Sequence, residues 1–209
     1  MIEGVAEMKN RQQIDPADLK KLTELACRLG ASNAEVIFTS EISIEEDLAN
    51  LCREPRCENY GLSAGCPPHV AGPSGFRKLL DTFEQAVVFK IDVRSEILLS
   101  SDRREVFRAL HEIAACIEHS AVEIGYQHSK AYAGGSCKRL FCQDYTHCRV
   151  LKEGEECSNP HRARPSMSGL GINVSKLMQA AGLTMNRITQ NTSREKVSMG
   201  TVCGLVLIG

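Results

Sequence analysis

The sequence predicts an α/β-type domain, with α+β packing as the alternative: helices on a small mixed sheet, interrupted by two cysteine-rich metal-binding loops. Three observations carry that prediction. Stretches with helical periodicity alternate with short β-branched or aromatic runs. Two irregular, turn-rich stretches between them hold seven of the ten cysteines. A chain of 209 residues, 43% hydrophobic and 24% charged, suits one domain spanning 1–209 that can bury a core without staples. The order of strands, and so parallel against antiparallel pairing, is not legible at this level.

The first helix opens with Asp15 as cap, Pro16 at its first position and Asp18 at its positive end. Leu19, Leu22, Ala26 and Leu29 form its apolar stripe, and Gly30 stops it. Residues 34–39 (AEVIFT) read as a short strand, and 44–51 allow a short helix leading into the first cysteine group. A helix over 76–83 places Phe76, Leu79, Leu80 and Phe83 on one face, and 86–93 (AVVFKIDV) is the clearest buried strand. The longest helix spans about 102–124, where Asp102-x-x-Glu105 resembles a capping box and Val106, Leu110, Ile113, Ile117 and Ala121 share a face. Residues 129–133 form a strand that delivers the chain into Gly134-Gly135-Ser136-Cys137. A helix capped by Asn173 groups Val174, Leu177, Met178 and Ala181 and ends at Gly182; 201–208 closes the chain as a strand.

Charge and targeting signals narrow the function. The 25 basic residues against 26 acidic ones give a net charge of −1, no electrostatic footprint for nucleic acid or anionic membrane. The start lacks the apolar core of a secretory signal, and no run approaches the ~18 apolar residues of a membrane span. A cytoplasmic chain sits among reduced thiols, so metal or redox chemistry is a better use for ten cysteines than disulfides. That setting also makes the glycosylation-type patterns at Asn173-Val174-Ser175 and Asn191-Thr192-Ser193 incidental.

The cysteines cluster. Cys52, Cys57 and Cys66 fall within 15 residues, and Cys137, Cys142, Cys148 and Cys157 within 21, where the chain average gives about 0.7 and about 1.0. Packing has no use for cysteines in polar turns, whereas soft metals need several sulfurs converging. In the first loop (52–68), Pro55, Gly61, Gly65, Pro67 and Pro68 bend the chain and lower the entropy lost on gathering the sulfurs. Cysteine followed by proline is also the ending of bacterial ferredoxin runs, although neither ferredoxin spacing matches. The second loop (134–167) offers four thiolates, enough for a complete 4Fe–4S cluster, with Lys138, Arg139 and Arg149 to offset its charge. Zinc is the alternative: Cys52-x4-Cys57 and Cys137-x4-Cys142 can make a four-cysteine site, which leaves Cys66, Cys148 and Cys157 without a role. Two iron–sulfur clusters, one on each loop, use them all, whereas a single cluster shared between the loops leaves the remaining cysteines idle.

Other residues read more plainly. Cys27, Cys116 and Cys203 lie in predicted helices and a strand and are assigned to core packing. His69, His147 and His161 lie near the loops as secondary candidates, while His111, His119 and His128 read as solvated. Tyr60 and Tyr145 can donate to cluster sulfur or simply face water.

Together, Cys52-Arg-Glu-Pro-Arg-Cys57-x2-Tyr60-Gly61-x4-Cys66-Pro67-Pro68, Gly134-Gly-Ser-Cys137, Cys157-x2-Pro160-x2-Ala163-Arg164-Pro165-Ser166-Met167 and Gly171-Ile172-Asn173-Val174 resemble an uncharacterised family of predicted metal-binding proteins. That family is a domain of unknown function found mainly in anaerobic bacteria and archaea. The resemblance runs from about residue 30 to the end and implies a cysteine-bound metal, such as an iron–sulfur cluster, in an anaerobe's cytoplasm. It supplies no reaction. Many relatives have a tighter second cysteine run than the x4 and x5 gaps here, so Cys142 and Cys148 are alternatives as ligands. Arg162 and Arg164 beside Cys157 can bind an anionic substrate or a partner carboxylate, Arg164 being the cofactor-binding candidate, or hold the loop through backbone contacts.

Three functions are open on this reading. The first is a 4Fe–4S protein for electron transfer or redox activation of a partner protein. The second is an enzyme using an open-site cluster on a small-molecule substrate, as Lewis acid or sulfur-handling centre. The third is a zinc-stabilised interaction protein.

Overall fold

Asp15 and Pro16 start the first helix as their chemistry requires. In the computed structural model, which describes residues 13–55, 57–188 and 198–209, Asp15 Oδ1 accepts the Ala17 N–H at 2.8 Å and α1 runs Pro16–Arg28. There follow β1 (Asn33–Phe38), α2 (Glu46–Asn50), α3 (Gly72–Leu80), β2 (Gln85–Arg94), α4 (Ser95–Leu98) and α5 (Arg103–Glu123). After them come β3 (Lys130–Tyr132), α6 (Cys137–Phe141), α7 (Arg149–Lys152), α8 (Val174–Ala180) and β4 (Met199–Ile208). The chain start, Arg56 and the Asn191-Thr192-Ser193 pattern lie outside the described residues.

The sheet order is β1-β2-β4-β3, and every strand pair is antiparallel, so the α+β form of the expected architecture is the one adopted and the sheet is antiparallel rather than mixed. The inner pair sets this orientation: β2 and β4 run against each other over their full length, from Gln85↔Ile208 to Arg94↔Met199. One face carries Val87, Phe89, Val206 and Ile208 under Leu22 of α1 and Leu110, Ile113 and Ile117 of α5. The other carries Val88, Leu205 and Leu207 under Phe76 of α3, Leu177 and Met178 of α8, and Met167. Apolar cover on both faces explains the near-continuous hydrophobic run of β2. Lys90 interrupts that run yet is buried, its Nζ on Asp92 at 2.7 Å and the Thr184 carbonyl at 2.9 Å. Glycine is required at position 204, where a Cβ would meet the Phe89 ring at 2.4 Å.

Several expectations are corrected. The Asp102 capping box is absent because Asp102 itself has helical backbone (φ −70°, ψ −14°), whereas a capping residue is extended. Leu29 caps α1 from outside its apolar face and is exposed. Cys27 and Cys116 are also exposed, since each lies off the buried face of its helix, whereas Cys203 is buried as assigned. Replacing Cys27 or Cys116 with Ser therefore shifts stability by less than about 0.5 kcal/mol. Cys203→Ser costs about 1–3 kcal/mol, because a hydroxyl replaces a buried thiol. Urea denaturation checks these values, and metal analysis of the same samples is expected to show no loss in any of the three. Among the described residues no helix is long and apolar enough to cross a membrane.

Candidate metal centre

A single extended segment brings the two cysteine loops together. Ala133, just past β3, forms a parallel bridge with Ser166: its N–H donates to the Pro165 carbonyl and its carbonyl accepts from the Met167 N–H, both at 3.0 Å. The Ser166 N–H turns the other way and donates to the Gly65 carbonyl at 2.9 Å. Residues 165–167 thus stitch the end of the first loop to the start of the second. Gly65 sits at the seam, where a Cβ would lie 3.4 Å from Pro165 Cα and 3.5 Å from Cys137 Sγ. The adjacent Cys66 thiol is buried and donates to Ser136 Oγ at 3.4 Å.

From this seam the thiols spread in both directions. Cys52 lies near enough to Cys57 and Cys66 for their ionisation to disfavour its own, and Cys137 is affected in the same way by Cys66, Cys157 and Cys142. Cys142 in turn is affected by Cys157 and Cys148. All seven predicted ligands are therefore linked, with Cys66 and Cys137 joining the two loops. Among the described residues, no three Cys, His, Asp or Glu side chains already form a cage for one metal ion.

Burial pushes the Cys137 thiol up to about 11, and the neighbouring thiols push the same way, against an opposing effect of Ser63. Cys52 and Cys142 are raised as well, chiefly by burial. At neutral pH these groups hold their protons unless a cation compensates the thiolate charge, so metal binding here releases protons.

The surroundings are arranged to donate to sulfur. The Asn159 N–H reaches Cys157 Sγ at 3.4 Å, and its Nδ2 reaches Cys142 Sγ at 3.3 Å. Arg162 holds Asn159 in place, with Nη2 on Oδ1 at 2.9 Å. The Ser63 hydroxyl is 1% exposed; it lies beside the Cys137 thiol, favouring the thiolate, yet completes no full hydrogen bond. An orphaned buried donor beside a thiol, and amide donors on the Cys142 and Cys157 sulfurs, fit a thiolate-bound metal. Asn159 and Ser63 were not picked out by sequence reasoning. The local signal for Asn159 was Cys157-Ser-Asn-Pro160, a turn that folds the N–H at i+2 back onto the sulfur.

The basic residues divide. Lys138 is buried beside the second loop, its Nζ donating to the Cys142 carbonyl at 2.5 Å and to the Tyr145 carbonyl. Arg149 is instead neutralised by Glu153 and Glu155. Arg164, the cofactor-binding candidate, is buried with its guanidinium against Glu118 and the carbonyls of Pro160 (2.9 Å) and Ala163 (2.7 Å), where it holds its own loop. His147 pairs with Glu153, while His69, His161 and Tyr145 are exposed. His111, read as solvated, is fully buried between the Gly134 carbonyl and the Arg164 N–H.

A cavity of about 640 Å³ opens over the first loop, with Cys52, Cys57 and Cys66 in its lining beside Tyr60, Pro67 and Ile172. A family model described as "Predicted metal-binding protein (DUF2284)" matches residues 35–208, a family of unknown function. No curated protein and no solved structure matches the chain.

Proposed function

The chain belongs to this family of predicted metal-binding proteins, and from the meeting of its two cysteine loops we propose that it holds one or two 4Fe–4S clusters. We further propose that it works in the cytoplasm, in electron transfer or in redox activation of a partner protein. The observation that carries this reading is the seam where Cys66 of the first loop and Cys137 of the second are packed together through Gly65 and Ser136.

Cys137, Cys142, Cys148 and Cys157 are the ligand set of the second loop, and Cys52, Cys57 and Cys66 that of the first. When bound, such a cluster supplies one-electron chemistry at a potential set by net charge, hydrogen bonds to sulfur and solvent exposure. The protein's own part lies in those three controls. Asn159 donates to the sulfurs of Cys142 and Cys157, Lys138 places a buried positive charge beside the loop, and the burial of Cys66 keeps water from the seam.

The cavity over Cys52, Cys57 and Cys66 favours a second reading, in which the first loop binds a small-molecule substrate. Three thiolates leave one ligand position exchangeable, the logic that separates catalytic from structural zinc. A site of that kind acts as a Lewis acid or handles sulfur.

Anaerobic purification with iron, sulfide and zinc quantification tests both readings. The expected product is brown, bleaches on reduction and carries about eight irons per chain for two clusters or about four for one. Stoichiometric zinc without acid-labile sulfide overturns the cluster and leaves a zinc-stabilised interaction protein. Adding cyanide to the reduced protein separates the remaining two: a shifted electron paramagnetic resonance spectrum supports the open site, and an unmoved one supports electron transfer.

A further inference from the structure

Beside the thiol-lined cavity lies a second cleft, of about 860 Å³, which shares Asn59, Gly135, Ser136, Ser168 and Arg187 with it. We propose that this cleft binds a small organic oxyanion, a carboxylate or phosphate ester with an apolar body. Arg103, Arg104, Arg139 and Arg187 hold its charged end. A volume of this size is within the usual range for small-molecule sites.

The arginines come from three parts of the chain. Arg103 and Arg104 open α5, Arg139 lies on α6, and Arg187 follows α8. Three of the four, Arg103, Arg104 and Arg187, have no carboxylate partner among the described residues. Arg104 Nη1 donates to the neutral Gln143 amide at 2.6 Å, and Arg139 Nε to the neutral Asn59 amide at 3.2 Å. Glu58 is the one acid among the described lining residues, and it stands 3.9 Å from Arg139. The side chains of Arg103 and Arg187 make no hydrogen bond or ion pair with other described residues. Outside the cleft, Arg77, Arg149 and Arg162 each have a carboxylate within 3.4 Å.

The two amide contacts orient guanidinium groups while leaving donors free, the arrangement that recognises carboxylate and phosphate in forked geometry. Leu98, Phe107 and Val202 provide apolar wall deeper in the cleft. Gly134 and Gly135 pass close over Phe107, where a Cβ at either position would lie 3.2 Å from the ring, and Gly135 and Ser136 line both cavities. A ligand anchored by the arginines can extend past Gly135 and Ser136 toward Cys66. That last direction rests on the metal reading; the anion site does not.

Isothermal titration calorimetry on the protein as purified tests the cleft with phenyl phosphate, phenylacetate and the neutral benzyl alcohol. At least one anion is expected to saturate with a Kd of about 1 mM or tighter, and the neutral probe is not. Tighter binding of phenyl phosphate assigns a phosphate ester, and tighter binding of phenylacetate a carboxylic acid. The double variant R103Q/R187Q, which breaks no contact among the described residues, is expected to weaken binding about tenfold or more, with R77Q outside the cleft as the control. The proposal is overturned if no anion saturates, if benzyl alcohol binds equally well, or if R103Q/R187Q binds like the parent. An equal loss in R77Q overturns it too. Metal content measured on the parent protein separates the two readings: a parent that holds metal but saturates with no anion refutes the cleft alone, and a parent that binds the anion but holds no metal refutes the cluster alone.

Discussion

A Cys137→Ala protein loses at least half of its bound metal and falls in Tm by roughly 10 °C. Cys137 is the thiol that faces both loops: its neighbours are Cys66 on one side and Cys142 and Cys157 on the other. Its sulfur lies against Gly65, and the orphaned Ser63 hydroxyl is beside it. On the proposed reading, removing it takes a ligand from the centre of the array, where Cys66 is the other described thiol that faces both loops. Metal binding and folding are linked, so a lost ligand appears as lost stability; about 3–5 kcal/mol is expected, at roughly 2–4 °C of Tm per kcal/mol for this chain length. Cys66→Ala is expected to behave alike, and Cys57→Ala and Cys157→Ala to lower metal content as well. Full metal content in a folded Cys137→Ala protein, measured against the parent, refutes the shared seam.

The elements of the fold were legible because they depend on local pattern. The Asp15-Pro16 start and the Asn173 cap both form, with the Asn173 side chain accepting the Lys176 N–H at 3.0 Å. The clustering of the seven cysteines was legible too, since polar turns give thiols no packing role. What the sequence could not show is the pairing of distant backbone. The Ala133–Ser166 bridge and the Ser166–Gly65 bond join positions far apart in the chain, and no periodicity announces them. Antiparallel pairing of β2 with β4 was hidden for the same reason. Side-chain phase was the other gap. A one-residue step around a helix turns a side chain by about 100°, which suffices to expose Cys27 beside buried Ala26 and Cys116 beside buried Ala115.

His111 is the residue on which the loop seam leans from the helix side. Its Nδ1 accepts the Arg164 N–H at 3.1 Å, so the ring proton belongs on Nε2, which donates to the Gly134 carbonyl at 3.0 Å. Gly134 begins the run to Cys137, and Arg164 precedes the stitching segment, so one neutral imidazole ties both strands of the seam to α5. Burial lowers its pKa to about 4, opposed by the Gly134 bond and assisted by the Arg164 charge. The unfolded chain takes up this proton near pH 6.5, before the folded one does. Stability from the neutral ring is therefore complete above about pH 6.5 and is lost as pH falls toward 4, by about 3 kcal/mol. Replacing it with His111→Leu leaves the Gly134 carbonyl and the Arg164 N–H buried and unpaired, at about 1–3 kcal/mol each. Urea unfolding at pH 7 should thus find the variant less stable by about 3 kcal/mol. At pH 4.5 the gap should shrink to under about 1 kcal/mol, because the parent has by then lost most of what the histidine supplied. Thiolate protonation in acid affects both proteins and cancels in the difference. A gap that stays constant between pH 7 and 4.5 means that His111 is not held neutral, and the assignment of its two hydrogen bonds fails with it.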